Sequence, residues 1–398
     1  MKRTPSSIAP FTPAWRPALA LSLAVSLALL TGCAWRARPG SKTAPAAVAR
    51  LLGAVAYPAG ALTLGDGPRF GSLSGLARDP GSAQWVAAVD ETNPPRLVWM
   101  DIAFGPILTV TPARFTLLHA GPGASAETIA GLEPESLVAL PGGGFAMTTE
   151  GYHDRRDVVH QPEVVFVRRD GSVTGAVRPR AHFAITAGDR TRGVRHNLGL
   201  ESITRAPDGR LLSGLEQPLV QDGPVSNAVR GGVVRLLEFV VRAGPAWAPG
   251  REWAYQLEPT ATVPGYPRPC EDGENGLTDM LALGNERWLT LERACLLGPP
   301  GAPAYNPVKL FEVSPRGADD VSALPALAGR TPRLVTKRLL LDIETLLPRL
   351  PPLWATGSNF EALALGPRGP RGERTVLLLS DDNLRASQTT AFLWLALP

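Results

Sequence analysis

Apolar residues follow two patterns along this chain. Residues 18–30 form one apolar run broken only by Ser22 and Ser26, whereas beyond Leu73 apolar positions come in short alternating stretches divided by turns rich in Pro, Gly and Asp. The second pattern has the period of half-buried strands, not of helices. It also repeats. A stretch opening on an acidic or hydroxyl residue, a turn, and a stretch closing on a carboxylate recur as "LSGLARDPGSAQWVAAVDE", "EPESLVALPGGGFAMTTE", "LESITRAPDGRLLSGLE", "LTDMLALGNERWLTLE" and "FEALALGPRGPRGERTVLLLSD", starting near Leu73, Glu133, Leu200, Leu277 and Phe360.

The spacing leaves room for two more strands per unit. Alternating segments occupy it at 97–102 and 114–119, at 164–168 and 172–177, at 233–241, and at 308–313 and 337–343. Four-stranded units repeated five times predict an all-β chain folded as a β-propeller. The last unit holds only one further strand, 391–397, and residues 49–57 are the candidate to complete it. Pairing N- and C-terminal strands in one blade would close the ring and remove a free sheet edge. Six blades, one of them degenerate, also fit the length, and a pair of β-sandwiches with coincidental repeats is the competing architecture.

The long apolar run has another meaning. Lys2, Arg3 and Arg16 precede it and it carries no charge, the arrangement of an export signal. As a helix it would span roughly 20 Å, short of the ~30 Å hydrocarbon core, so removal is expected. Leu30-Thr31-Gly32-Cys33 resembles the bacterial lipobox, which implies cleavage before Cys33 and lipidation of its thiol. An ordinary secretory signal with a chance cysteine, or an uncleaved anchor helix, are the alternatives. Acyl chains bury methylenes at ~0.8 kcal/mol each, so attachment through two or more is effectively permanent.

The expected organisation is a signal peptide over 1–32, lipidated Cys33 with a flexible tether over 33–48, and a propeller over 49–398. The expected location is the cell envelope, anchored in a membrane and facing the periplasm or the exterior. Ala34, not Asp, follows the lipidated position, which resembles the outer-membrane pattern of Gram-negative lipoproteins.

Composition changes this picture little. Removing three basic residues with the leader takes the formal charge from +4 to about +1, and the basic residues are scattered among few aromatics. A nucleic-acid surface is therefore not expected. The 44% apolar content supports extensive burial, and 41 Gly with 40 Pro suit many tight turns and few long helices.

Candidate chemistry lies in the repeat acids. In an antiparallel hairpin the start of the first strand lies beside the end of the second, so the opening and closing residues of each unit meet. That pairs Glu135 with Glu150, Glu201 with Glu216, Glu361 with Asp381, Thr278 and Asp279 with Glu292, and Ser74 with Asp90. Innermost strands would bring these pairs to one mouth of the central channel. Two carboxylates ~5 Å apart repel by about 3 kcal/mol at an effective dielectric of 20. Bound cations, neighbouring Arg or Lys, or raised carboxyl pKa values would compensate. Oxygen-only ligands favour Ca²⁺ over Zn²⁺. The competing reading makes the acids turn caps or partners of Arg155, Arg156, Arg195 and Arg293, with no metal.

The strings "LEPESLVALPGGGFAMTTEG", "NLGLESITRAPDGRLLSGLEQ", "NGLTDMLAL" and "SNFEALAL" with "LLLSDDN" resemble the phytase-like family, described by esterase-like activity of phytase, from about residue 71 to 395. The resemblance implies an exported propeller whose repeated acids form a phosphoesterase site dependent on Ca²⁺. It casts Glu135, Glu150, Glu201, Glu216, Asp279, Glu292, Glu361, Asp381 and Asp382 as metal or substrate ligands. Arg293 and Arg155 are candidate phosphate contacts for a phosphorylated small molecule. Unit one departs from the pattern, carrying Ser74 and Gly75 where others carry acids, so an asymmetric site centred on units two to five is expected.

No histidine acid phosphatase run, cysteine phosphatase loop, Gly-x-Ser-x-Gly elbow, P-loop or His-Glu-x-x-His helix occurs. His153 and His196 lie near repeat acids and are read first as structural histidines. Cys270 and Cys295 fall at one end of unit four by the hairpin argument, and export would oxidise them to a disulfide; two free thiols are the alternative. The functional expectation is a Ca²⁺-dependent phosphoesterase. A non-catalytic propeller that binds a ligand or an envelope partner, with ions serving structure only, is the alternative.

Overall fold

The structure, a computed structural model, describes residues 48–398 except 66, 68, 92–93, 125–128, 130, 154–157, 242–245, 261, 271–274, 352 and 355–357. Cys33, the leader and Arg155 lie outside the described residues. The repeat units are five antiparallel sheets, each a blade. Blade 1 comprises Leu73–Arg78, Trp85–Val89, Arg96–Ala103 and Thr109–Leu117. Blade 2 comprises Pro134–Ala139, Phe145–Thr149, Glu163–Val167 and Ser172–Val177, with the short strand His119–Ala120 added in parallel at its outer edge. Blade 3 comprises Leu200–Arg205, Leu211–Leu215, Val233–Val241 and Trp247–Gln256. Blade 4 comprises Asn275–Gly284, Arg287–Ala294, Val308–Ser314 and Thr336–Asp342.

Blade 5 is built from both ends of the domain. Asn359–Leu365, Thr375–Asp381 and Thr389–Ala396 are joined by Arg50–Pro58, which pairs from Arg50 opposite Ala396 to Pro58 opposite Thr389. The expected closure is present, and the first strands of the blades adjoin in a ring, 1 to 5 and back to 1.

Alternation in each strand sends apolar side chains into the layers between blades, where the core lies. Trp99 of blade 1 meets Phe145 of blade 2 edge-on at 5.9 Å, and Trp253 of blade 3 meets Trp288 of blade 4 at 5.3 Å. Among the four-stranded blades one strand was not expected from the sequence, Trp247–Gln256, because Pro249 and Gly250 break its pattern. The register shows how they are tolerated. Pairing slips between Leu237 and Phe239, so Pro249 sits at a bulge, and the intervening Glu238 accepts the Arg251 amide at 3.0 Å.

Each first strand also carries a bulge at one shared place, between Ser74 and Leu76, Pro134 and Leu137, Leu200 and Ser202, Leu277 and Asp279, and Phe360 and Ala362. There the strands approach closely around the channel. Gly75, at φ +57°, has no room for a side chain: a Cβ there would lie 2.6 Å from the Ser136 Cα.

Candidate functional site

A bulge re-aims one side chain per strand, and here it decides what faces the channel mouth. The first-strand residue at the bulge is Gly75, Glu135, Glu201, Thr278 or Glu361 in blades 1 to 5. The second strands supply a further residue each. Asp381 lies opposite Asn359, and Arg293 lies opposite Gly276. The Glu216 amide bonds to the Gly199 carbonyl and the Asp90 amide to that of Ser72, which places these two, and Glu150 one residue beyond Thr149, at the equivalent position. The mouth thus has a second-strand set of Asp90, Glu150, Glu216, Arg293 and Asp381.

This corrects the sequence reading of blade 4. Glu292 lies opposite Leu277, the position Leu215 holds opposite Leu200 in blade 3. A one-residue step reverses the face of a strand side chain, so Glu292 turns away from the mouth and Arg293 turns in. Glu292 instead accepts Tyr255 Oη at 2.6 Å, Lys337 Nζ at 2.5 Å, Asn275 Nδ2 at 2.8 Å and the Glu258 amide at 2.9 Å. It is a buried, fully hydrogen-bonded clamp between blades 3 and 4.

Two more of the expected ligands are engaged elsewhere. Asp279 lies one position past the mouth, where it accepts Ser136 Oγ at 3.1 Å and the Leu363 amide at 2.6 Å, pinning blades 2, 4 and 5. Burial there raises its carboxyl well above the ordinary range despite those bonds. Asp382 caps the turn after blade 5 and ties it to blade 1, accepting the Ser72 and Leu384 amides at 2.9 and 3.0 Å and Thr390 Oγ1 at 2.9 Å.

Glu135, Glu150, Glu201, Glu216, Glu361 and Arg293 do come together, lining a cavity of about 510 Å³ with Asp90. Asp381 sits beside it, its Oδ1 bonded to the Asn383 amide at 2.8 Å and its Oδ2 buried with no partner. Glu135, Glu150 and Glu201 each offer an oxygen within 4.8 Å of the other two. Glu150 is only 2% exposed, and its Oε2 has no hydrogen-bond partner. Arg293 contacts Glu361 at 3.2 Å and Glu216 at 3.4 Å. Burial is the first cause that raises the carboxyls of Glu135, Glu150 and Glu201, with repulsion from neighbouring acids adding to it and Arg293 opposing it at Glu201. Asp90 is pushed up to about 7 by burial and then by Glu361 and Glu133. Burial also raises Glu216 and Glu361, and the Arg293 guanidinium opposes it.

The family described as phytase-like, with esterase-like activity of phytase, matches residues 68–384. The chain belongs to the phytase-like family. No protein of curated function matches it. Among solved structures, this phytase-like chain is similar to an endo-arabinase from Bacteroides thetaiotaomicron at 8% identity and TM-score 0.40, covering 86% of this chain and 96% of that one. It is similar to the catalytic domain of an α-L-arabinofuranosidase from Coprinopsis cinerea at 9% identity and TM-score 0.40, covering 87% and 97%.

The phytase-like cavity contains groups that sequence reasoning passed over. Asp90 fills the gap assumed at blade 1, although the register sets Ser74, its expected partner, opposite Ala88 and bonds the Asp90 amide to the Ser72 carbonyl. Asn359, whose Nδ2 donates to Glu361 Oε1 at 2.6 Å, and Arg385 also line the cavity. His196 stands at its exposed lip, its ring 6.4 Å from that of Tyr152. Cys270 and Cys295 are joined in a disulfide, with Cα atoms 5.4 Å apart. Cys295 touches the cavity two residues beyond Arg293, so the bridge braces the strand end that presents the guanidinium.

Proposed function

We propose that this phytase-like propeller is an exported, lipid-anchored, Ca²⁺-dependent phosphoesterase that acts on phosphorylated small molecules at the acidic mouth. The Glu135, Glu150 and Glu201 triad carries the reading. Two oxygens on opposite sides of a Ca²⁺ ion bound at 2.3–2.6 Å lie about 5 Å apart, so oxygens within 4.8 Å of one another suit that ion without rearrangement. The donors are hard oxygens, which suits Ca²⁺ and not Zn²⁺. The partnerless Glu150 Oε2 supports a cation at this position, because a buried acceptor left unmatched costs about 1–3 kcal/mol.

A bound Ca²⁺ would supply positive charge to phosphate oxygens and lower the pKa of a coordinated water. The protein's own part is orientation. The planar guanidinium of Arg293 suits two phosphate oxygens at once, and Glu216 with Glu361 holds it from either side. Asn359 fixes Glu361 in turn. The cavity of about 510 Å³ falls within the ordinary range for small-molecule sites.

The test uses the full chain purified in detergent, assayed against p-nitrophenyl phosphate, bis-p-nitrophenyl phosphate and phytate with Ca²⁺ or EGTA. Turnover that EGTA abolishes is expected. Calcium binding without turnover on any of the three would leave a binding module for a ligand or envelope partner. The anchor is tested separately: Cys33→Ser should leave the membrane fraction, and continued membrane association would refute lipidation at that residue.

A further inference from the structure

The ring of mouth residues has one reversal of sign. At the second-strand position four blades place a carboxylate, Asp90, Glu150, Glu216 and Asp381, and blade 4 places Arg293. Blade 4 also lacks an acid at its bulge, where Thr278 sends its hydroxyl to the Phe360 carbonyl at 3.2 Å. The guanidinium therefore enters the ring between the acids of blade 3 and those of blade 5, and one nitrogen reaches both Glu216 and Glu361.

We propose that Arg293 is a built-in counter-cation that occupies the place of a second metal ion, so that the mouth holds one Ca²⁺, on the Glu135–Glu150–Glu201 side. The proposal rests on the calcium reading above and fixes its stoichiometry. The acids fall into two groups with Glu201 and Glu216 adjoining between them. On one side the triad carboxyls are raised first by burial, Arg293 opposes this only at Glu201 and as the last of its causes, and Glu150 Oε2 is buried without a hydrogen-bond partner. On the other side Glu216 and Glu361 converge on a single nitrogen of Arg293, which already offsets part of their charge. A cation brought to that nitrogen's position would meet the same two oxygens and would be repelled by the resident charge. In a two-metal site a pair of ions clamps the reacting oxygens; here one ion and one guanidinium would share that task across the Glu201–Glu216 boundary.

The full chain and two variants, Arg293→Gln and Arg293→Lys, are titrated with Ca²⁺ alone by isothermal calorimetry and by equilibrium dialysis, with near-ultraviolet circular dichroism reporting the fold. Wild type should bind one ion at the mouth, Arg293→Lys one, and Arg293→Gln two. Two ions in wild type would overturn the proposal, as would one ion in a natively folded Arg293→Gln. If Arg293→Gln fails to fold, one ion in Arg293→Lys that becomes two at a pH high enough to neutralise the lysine supports it, and an unchanged count refutes it. No ion in wild type but one in Arg293→Gln would support the blocking role and refute the calcium reading; none in any form would refute both.

Discussion

Replacing Glu201 by Gln should move stability in opposite directions with and without calcium. The triad oxygens lie within 4.8 Å of one another; at that separation each ionised pair repels by about 3.5 kcal/mol at an effective dielectric of 20. Three such pairs exist, and the substitution removes two while preserving shape. The full relief is not realised, since the carboxyls already hold protons in part, as their raised pKa values record. A net gain of about 2 kcal/mol in the calcium-free protein is the expectation, roughly 3 °C in Tm for a domain of this size. With calcium the order reverses. An ion at a hundred times its Kd stabilises wild type by about 2.7 kcal/mol, and the variant forfeits most of it. Thermal unfolding in EGTA and in excess Ca²⁺ reads both terms. A variant less stable than wild type in EGTA, with its calcium gain intact, would show that Glu201 serves as a structural acceptor and not as an ion ligand.

The calcium-induced rise in Tm should be larger near pH 7.5 than near pH 5. The folded carboxyls lie above their unfolded values, Asp90 and Glu133 at about 7, so the apo fold loses stability as pH climbs from about 4 to 7, and calcium offsets that loss only where it exists. Equal rises at both pH values would refute this. Lys337→Met should destabilise the protein by about 3–5 kcal/mol in EGTA and in calcium alike, because it strands the buried Glu292 carboxylate; denaturant melts check it, and a cost under about 1 kcal/mol would contradict the assigned clamp. Reducing the Cys270–Cys295 bridge, which spans 25 residues, should cost about 3 kcal/mol and weaken calcium binding little, since the bridge braces Arg293 and not the triad. A large loss of calcium affinity on reduction would sink that division of labour.

The propeller was legible because two periodicities agree: alternation within each strand and recurrence of the hairpin along the chain. Closure through residues 50–58 was legible for the same reason, the last unit being one strand short. What the sequence concealed was register. Matching units by residue type selects Glu292 as the closing acid of blade 4, yet fifteen residues separate Glu135 from Glu150, Glu201 from Glu216, and Thr278 from Arg293. Spacing, not chemistry, carried the correct alignment. Asp279 and Asp382 misled similarly, since an acid beside a motif acid is indistinguishable in sequence from its neighbour, while a strand or a turn sends the two to different surroundings.

Five copies of one hairpin would by themselves give a ring of ten equivalent carboxylates, and such a ring would select no direction for a substrate. The departures create the site. Gly75 and Thr278 remove acids from the bulge positions of blades 1 and 4, and Arg293 inverts one second-strand position. The remaining negative charge is densest at blades 2 and 3, where the triad stands, and is compensated toward blade 5, where the guanidinium meets Glu216 and Glu361. An anionic group entering the cavity would therefore meet the stronger repulsion on the triad side until a cation binds there, and a fixed positive charge on the other. Cation first and anion second is the order this electrostatic gradient imposes, and it follows from three residues that break the repeat more than from those that keep it.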